Sequence, residues 1–586
     1  MAPPPSSSRV RVPLFIVCVT LLAASQMYIF TRLQAAAGSE HVEDMDDAKM
    51  MLRGAATAHH ATKLEGNAAA ILQLDVMQNK SVDPNPSTAT NVLDANTLDA
   101  SDPAPPRDSH HVDKRPFVPH PDAGVDAAQK KRQHAIRNAM KHAWSGYETH
   151  AFGADEVGPV SGARKQNVWG DLGVTLVDAL DTLYIMGMTV EFQRARDWVA
   201  SDLDFTHLGV DGHTISVFEI TIRELGGLLS AYDLSQDEVF KRRAVELGDL
   251  LLPAFDPKSG VFFTVFNVHT KSRAMNGWTA NRGLLADIGT LQLELRYLSD
   301  ITGDSRYADA GDAFYDVIQR EGSYDNTGLF PVHFDTNSGT FSRSSSVITI
   351  GALGDSFYEY LLKVWLYSGQ RAQDNYLRDL YNAAVVGIET KLLTYSQPDD
   401  AYYLQELNVP GLSGMPQQDH LLCFVPGMLA LGTLSDTDAA RVVKHLDLAK
   451  KLMATCYKAY SLQPSGLSPD IVHFPGFQVK DARYKLRPET VESLMYLFRV
   501  TKDPIYREWG WTIFEAIEAH AKTTYGYGAV LNVNSPVNIE VEDKMESFFL
   551  AETLKYHYML QSAPSFLPLE KYVFNTEAHP LSIVQH

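Results

Sequence analysis

Basic surface is what this sequence lacks most. Fifty-one Lys and Arg stand against 71 Asp and Glu, a formal net charge of −20, and no basic stripe offsets it. That excludes a nucleic-acid-binding surface, so no nucleic-acid partner is expected. The longest basic cluster, Lys130-Lys131-Arg132, reads as a solvated helix face. Whole classes of catalytic motif are missing too. No G-x-S-x-G elbow, H-E-x-x-H zinc site or phosphate-binding Walker loop occurs. Gly526-Tyr527-Gly528 lacks a third glycine and reads as a turn, and Asp202-Leu203-Asp204 lacks the α/β context of a sugar-nucleotide site. Cysteine is scarce, with three in 586 residues. Cys18 falls in an apolar N-terminal run, leaving Cys423 and Cys456 for the rest. An oxidising compartment would join them in one disulfide, and the alternative is two buried thiols.

The N terminus has the layout of an anchored lumenal protein. Residues 1–12 form a short basic tail, and the apolar run PLFIVCVTLLAASQMYIF follows from Pro13. About 18 residues is the low end for a membrane span, and the positive charge before it predicts a cytoplasmic N terminus. A signal anchor over 13–31 is expected, with a cleaved signal peptide as the alternative. From 32 to 124 the chain is rich in Ala, Asp, Ser, Thr and Pro, as in DPNPSTATNV, and reads as a flexible lumenal stem.

Beyond residue 125 the texture changes to long amphipathic segments. A pattern recurs of apolar helix, short polar turn and second helix, in LYIMGMTVEFQRA, LLSAYDLSQDEVFKRRA, LRYLSDITGDSRYADA, LLKVWLYSGQRAQDNYLRD, LALGTLSDTDAARVVKH and YLFRVTKDPIYREW, with a degenerate copy from LKYHYML. The spacing is roughly 50–70 residues, the range of helical-hairpin arrays. Strand-like runs such as Val261–Val268 and Tyr527–Val533 are short and sit between helical pairs, and no βαβ alternation is visible. Six or seven such hairpins without a polar capping repeat predict a closed, all-α barrel over 125–586 with small β-hairpins at one end.

Carboxylates at inner helix starts would converge at one mouth of that barrel. SVFEITIRELGG places Glu219 and Arg223 four apart on one helix face within apolar surroundings. Ionisation there is costly, which suits Glu219 to proton donation. AFGADEVGPVSG holds Asp155 and Glu156 in a turn; GALGDSFYEYLLK puts Asp355 at an N-cap position; LRPETVESL offers Pro488 as the first helical residue with Glu489 and Glu492 on one face; MESFFLAETL flanks two Phe with Glu546 and Glu552. Each alone could be a helix cap. Together, carboxylates at hairpin starts with aromatics between them describe a sugar-binding pit.

Over residues about 135–586 the chain resembles the class I α-1,2-mannosidases, glycoside hydrolase family 47. The strings that carry it are VTLVDALDTLYIMGM, SVFEITIRELGGLLSAY, GALGDSFYEYLLK, DHLLCFVPG, LRPETVESLMYLFRVT, KMESFFLAETLKY and YVFNTEAHPL. The resemblance implies an (α/α)7 barrel, a single Ca²⁺ and inverting removal of terminal α-1,2-linked mannose from high-mannose N-glycans. Its usual setting is a type II membrane protein of the endoplasmic reticulum or Golgi. Glu219 matches the general acid, Glu489 the general base and Asp355 the third catalytic carboxylate. Thr576 matches the Ca²⁺ ligand, with Glu577 acting through water. Arg223, His420, Asp470, Arg487, Glu492, Glu546, Phe548 and Glu552, and by weaker analogy Asp155 and Glu156, fall in the substrate-binding motifs. Cys423 and Cys456 match the disulfide pair. Two departures stand out. Leu353 occupies the place of an Arg that clasps one glycan branch in the endoplasmic-reticulum type, as in the Golgi type, and Asp470 stands where the family usually has Glu. A Golgi-type enzyme is therefore expected. A non-catalytic glycan-binding relative and a Golgi glycosyltransferase are the competing classes.

Overall fold

The computed structural model describes residues 116–119 and 124–586. The expected tail, the anchor over 13–31 and nearly all of the stem lie outside the described residues. Among those described, no helix is long and apolar enough to cross a membrane.

Helices alternate between two environments. Odd-numbered ones bury a single stripe: α1 (Ala127–His150), α3 (Thr189–Ser201), α5 (Glu238–Leu251), α7 (Arg306–Glu321), α9 (Asn375–Gly387), α11 (Ala439–Ser461) and α13 (Ile505–His520). Even-numbered ones are apolar nearly all round and almost wholly buried. They are α2 (Val174–Asp178 and Leu180–Ile185), α4 (Val217–Ile220, a π turn Thr221–Leu225 and Gly226–Ser235), α6 (Leu285–Gly289 and Gln292–Thr302), α8 (Asp355–Tyr367), α10 (Val425–Thr433), α12 (Glu489–Thr501) and α14 (a π turn Phe549–Thr553 and Leu554–Gln561). Each even helix packs on the next even one, and α14 returns to α2. The ring closes with α14 also against α1. This is the expected (α/α)7 barrel.

Connections from an even to the following odd helix are short, whereas those from odd to even are long and carry small antiparallel sheets. Strands pair across loops as well as within them. Ser346–Ile348 pairs with Glu406–Val409, and Gln417–Asp419 with Ile471–His473. Neighbouring loops are thus stitched into a rim at the end where the inner helices begin. From the other end the C-terminal hairpin, Tyr572–Phe574 with Pro580–Ser582, enters the barrel. Its base is held near inner-helix C termini: Ser582 donates to Asp233, and the Val584 amide to the Tyr367 carbonyl at 2.9 Å. Its tip, residues 575–579, reaches inward.

Gly226 and Gly227 make room for this packing. A Cβ on Gly226 would lie 2.7 Å from Asn575 Nδ2 at the hairpin tip, and one on Gly227 would lie 2.7 Å from the Val177 carbonyl of α2. The Gly-Gly pair thus allows close backbone approach on two sides.

Four local expectations need correction. Asp355 is the first residue of α8, with Gly354 at its N-cap, and Pro488 is the N-cap of α12, which begins at Glu489. The stem does not run free to residue 124: the Phe117 amide donates to the Leu234 carbonyl at 2.8 Å and its ring meets Phe566 and Tyr572. An aromatic in an otherwise polar tract is the feature that docks it. Within the basic cluster, Arg132 is no solvated charge, since it forks onto Glu508 and lies over Trp511.

Candidate active site

Glu219 opens the site from α4. The Ser216 hydroxyl caps this helix by accepting from the Glu219 amide at 3.3 Å. One turn on, Arg223 donates from Nε to Glu219 Oε2 at 2.9 Å. The π turn containing Arg223 widens the helix there, a common device at functional sites. Its guanidinium also pairs with Glu577 at the hairpin tip and lies 3.9 Å from Asp178. Trp169 and Phe548 flank it, with ring centroids 5.4 and 5.7 Å away. The Glu219 side chain keeps 23 % exposure. It is therefore reachable from the mouth and ion-paired, rather than isolated among apolar groups.

Across the rim, Glu489 begins α12. Its Oε2 meets His420 Nδ1 at 2.7 Å, and His420 Nε2 meets the Tyr460 hydroxyl at 2.6 Å. The His420 amide donates to the Asp470 carbonyl at 2.8 Å. The Asp470 carboxylate in turn accepts from Arg487 Nε at 2.8 Å and faces Lys485 Nζ at 3.1 Å. Although burial opposes ionisation of Asp470, those two cations hold its carboxyl well below the usual range. The shorter side chain at this position still reaches its arginine.

Asp355 begins α8 and feels the charge of Glu489. Burial, then the charges of Asp419, Glu359 and Glu489, push its carboxyl well above the ordinary range. The Ser356 amide donates to its Oδ1 at 2.8 Å. Leu353, two residues upstream, has φ +77° and is half-buried. A leucine in the left-handed region is strained, and the loop retains it by a bond from the Ala286 amide to the Leu353 carbonyl at 3.0 Å.

Acidic side chains crowd the floor. Burial and the charge of Glu577 drive Glu552 upward; burial drives Glu577 upward against the pull of Arg223. Glu492 is raised to about 8 by burial, with Lys363 opposing and Glu359 adding. Lys363 binds Glu359 and lies 3.6 Å from Glu492. Thr576, half-buried at the hairpin tip, has its amide 3.3 Å from the Tyr360 hydroxyl. Among the described residues, no group of three or more His, Cys, Asp or Glu is arranged to hold a metal. Thr576 offers a hydroxyl oxygen and Glu577 beside it in the chain a carboxylate, donors of the hard kind that suit Ca²⁺.

The turn residues occupy different ground. Asp155 is spent on the backbone: its carboxylate accepts from the amides of Trp169, Asp171, Leu172, Gly173 and Val174, fastening the loop that leads into α2. Glu156 beside it is buried with neither oxygen bonded, and burial and Glu546 raise it to about 8. Glu546 itself pairs with Lys544 at 2.9 Å. Several residues at the site escaped the sequence reading. Burial and Glu219 raise Asp287 to about 7. Asp419 accepts from the Ala352 and Leu422 amides, at 3.0 Å each. Asp178 and Asp181 bind His579 at 3.1 and 3.0 Å, and Asp181 also takes Lys555 at 2.8 Å. Two aspartates three apart in the apolar string VDALDTL were the available signal. The Cys423–Cys456 disulfide is present, with Cα atoms 5.9 Å apart.

The comparisons agree with this architecture. The model of glycosyl hydrolase family 47 matches residues 139–583. The human "endoplasmic reticulum mannosyl-oligosaccharide 1,2-alpha-mannosidase" is 42 % identical over 82 % of this chain and 68 % of its own length. The Arabidopsis thaliana "mannosyl-oligosaccharide 1,2-alpha-mannosidase MNS1" is 42 % identical over 81 % of this chain and 82 % of its own. Among solved structures, the "alpha-1,2-mannosidase from Trichoderma reesei" superposes with a TM-score of 0.71 at 30 % identity, covering 78 % of this chain and 99 % of that one. With the barrel, the ring of carboxylates and these likenesses together, the chain belongs to glycosyl hydrolase family 47.

Proposed function

We propose that this protein is an inverting exo-α-1,2-mannosidase that trims terminal α-1,2-linked mannose from high-mannose N-glycans. The observation that carries the reading is the arrangement at the rim. Two carboxylates, Glu219 and Glu489, stand on different inner helices of the ring, Glu219 held by Arg223, which it shares with Glu577, and Glu489 held by His420. An inverting glycosidase needs such a pair, with room between for the sugar and a water. In this reading Glu219 protonates the leaving glycosidic oxygen and Glu489 takes the proton of the attacking water. Asp355, whose carboxyl burial and acidic neighbours push well above the ordinary range, serves in this reading as a hydrogen-bond donor instead of competing as the base. Phe548 and Trp169 present ring faces beside Arg223 for sugar stacking. Thr576 would hold a Ca²⁺, with Glu577 and Glu552 binding its waters. When bound, that ion would orient sugar hydroxyls and offset the crowded negative charge.

Leu353 leaves the rim without a guanidinium at that position, which supports trimming of several mannoses with little branch preference. The relatives bear endoplasmic-reticulum names as well as others; the Leu353 feature and the anchored layout of the N terminus lead us to place this protein in the Golgi membrane, single-pass type II, with its catalytic domain lumenal. Glu219→Gln should lower turnover of a nine-mannose glycan by at least about 10²-fold, the scale of general acid catalysis, with the melting temperature unchanged. Near-normal turnover would remove Glu219 from the acid role. Reversible inactivation by a chelator is expected, and indifference to it would remove the metal.

A further inference from the structure

Tyr460 belongs to an outer helix, yet it reaches the rim through one side chain. It sits in the last turn of α11, 2 % exposed, with its hydroxyl 2.6 Å from His420 Nε2. Nδ1 of the same ring faces Glu489 Oε2 at 2.7 Å, and the Thr490 hydroxyl is 3.2 Å from Nε2. A carboxylate oxygen only accepts, so Nδ1 must carry a proton. On a ring with that single proton Nε2 is the open site, and the Tyr460 hydroxyl is placed to donate to it. Hydrogen bonding at one imidazole nitrogen sets the tautomer presented by the other. The disulfide reinforces this. It ties Cys423, three residues after His420, to Cys456, one turn before Tyr460 on α11. The two ends of the hydrogen-bonded pair are therefore stapled together beside their point of contact.

We propose that Tyr460 is a positioning residue for the hydrolytic step: through His420 it fixes the Nδ1–H tautomer and aims the Glu489 carboxylate at the attacking water. The proposal rests on the mannosidase reading and on Glu489 as the base. Tyr460 is buried behind His420, so its effect falls on kcat and leaves KM nearly alone. Losing one such hydrogen bond in a dry site, with Thr490 remaining as a weaker partner, is worth about tenfold in kcat.

The test is steady-state hydrolysis of an α-1,2-linked mannose disaccharide by the full chain and its variants. Inactivity of the wild type would refute the functional reading itself. With an active wild type, Tyr460→Phe should lower kcat about tenfold with KM within about twofold. His420→Asn retains an N–H donor where Nδ1 stood, whereas His420→Gln retains only the distal group. H420N should therefore exceed H420Q in kcat by about tenfold or more. In the H420N background, Y460F should have no further effect, because no ring remains to be set. A normal kcat for Y460F, equal kcat for H420N and H420Q, or multiplicative losses in the double variant would each overturn the proposal. The His420 pair keeps it testable if Y460F does not fold.

Discussion

Replacing Arg223 by Met tests the electrostatics of the barrel floor. Its guanidinium is the shared counter-charge of Glu219, at 2.9 Å, of Glu577 and of Asp178, at 3.9 Å, and its side chain is 10 % exposed. Removing one partner of a buried pair destabilises by about 3–5 kcal/mol, because the remaining charge is left uncompensated. At about 2.1 cal/mol/K per residue, the roughly 460 residues of the barrel give an unfolding entropy near 1 kcal/mol/K, so the melting temperature should fall by about 3–5 °C at pH 7. The pH dependence has a definite sign. Burial holds the folded carboxyl of Glu577 above its ordinary value, so its ionisation works against the folded state as pH rises past the unfolded value. Arg223 offsets that effect. Without Arg223 the penalty is complete at pH 7 and shrinks toward pH 4, where the carboxyl is protonated in both states. Calorimetric scans of both proteins at pH 4.5 and 7 should show the larger gap at pH 7, and adding Glu577→Gln should recover part of it. An equal gap at both pH values, or none, would refute the reasoning.

Other substitutions probe separate parts of the structure. Gly226→Ala places a methyl group against Asn575 and His579. Overpacking of this kind destabilises by about 1–3 kcal/mol, and because the hairpin tip carries Thr576 and Glu577, turnover should fall by more than the loss of folded protein explains; parallel melting and rate measurements check this. Removing the disulfide with Cys423→Ala and Cys456→Ala opens a 33-residue loop. Chain entropy then predicts a loss of about 3–4 kcal/mol, read as a fall of the same number of degrees in the melting temperature.

Much of the barrel is legible in the chain because its inner helices are apolar on every side and its tight turns follow them at once, as in LLSAYDLSQDEVFKRRA. The hairpins could be placed between helices for the same reason. What the pattern does not carry is pairing across distance. Asp181 and His579 stand 398 residues apart, and Arg223 and Glu577 stand 354 apart. Periodicity places each on a helix or in a turn but says nothing of its partner. Asp155 illustrates the limit: a carboxylate in a polar turn looks available for ligand, and only the folded loop brings five amides onto it. Phe117 is the converse, an aromatic at the end of a polar tract whose docking partners, Leu234, Phe566 and Tyr572, belong to a distant helix, a loop and the C-terminal hairpin. Helix starts moved by one residue at Asp355 and Glu489, the scale at which cap geometry rather than composition decides.

The most direct test of the account is a time course of the full chain on a nine-mannose N-glycan, with products resolved by mass and branch and the anomer of released mannose followed by NMR. Progressive loss to five mannoses, each released first as the β-anomer, is predicted by an inverting pair on α4 and α12 and a rim with Leu353 in place of a guanidinium. Release of α-mannose, or glycan binding with no trimming, would contradict the central claim.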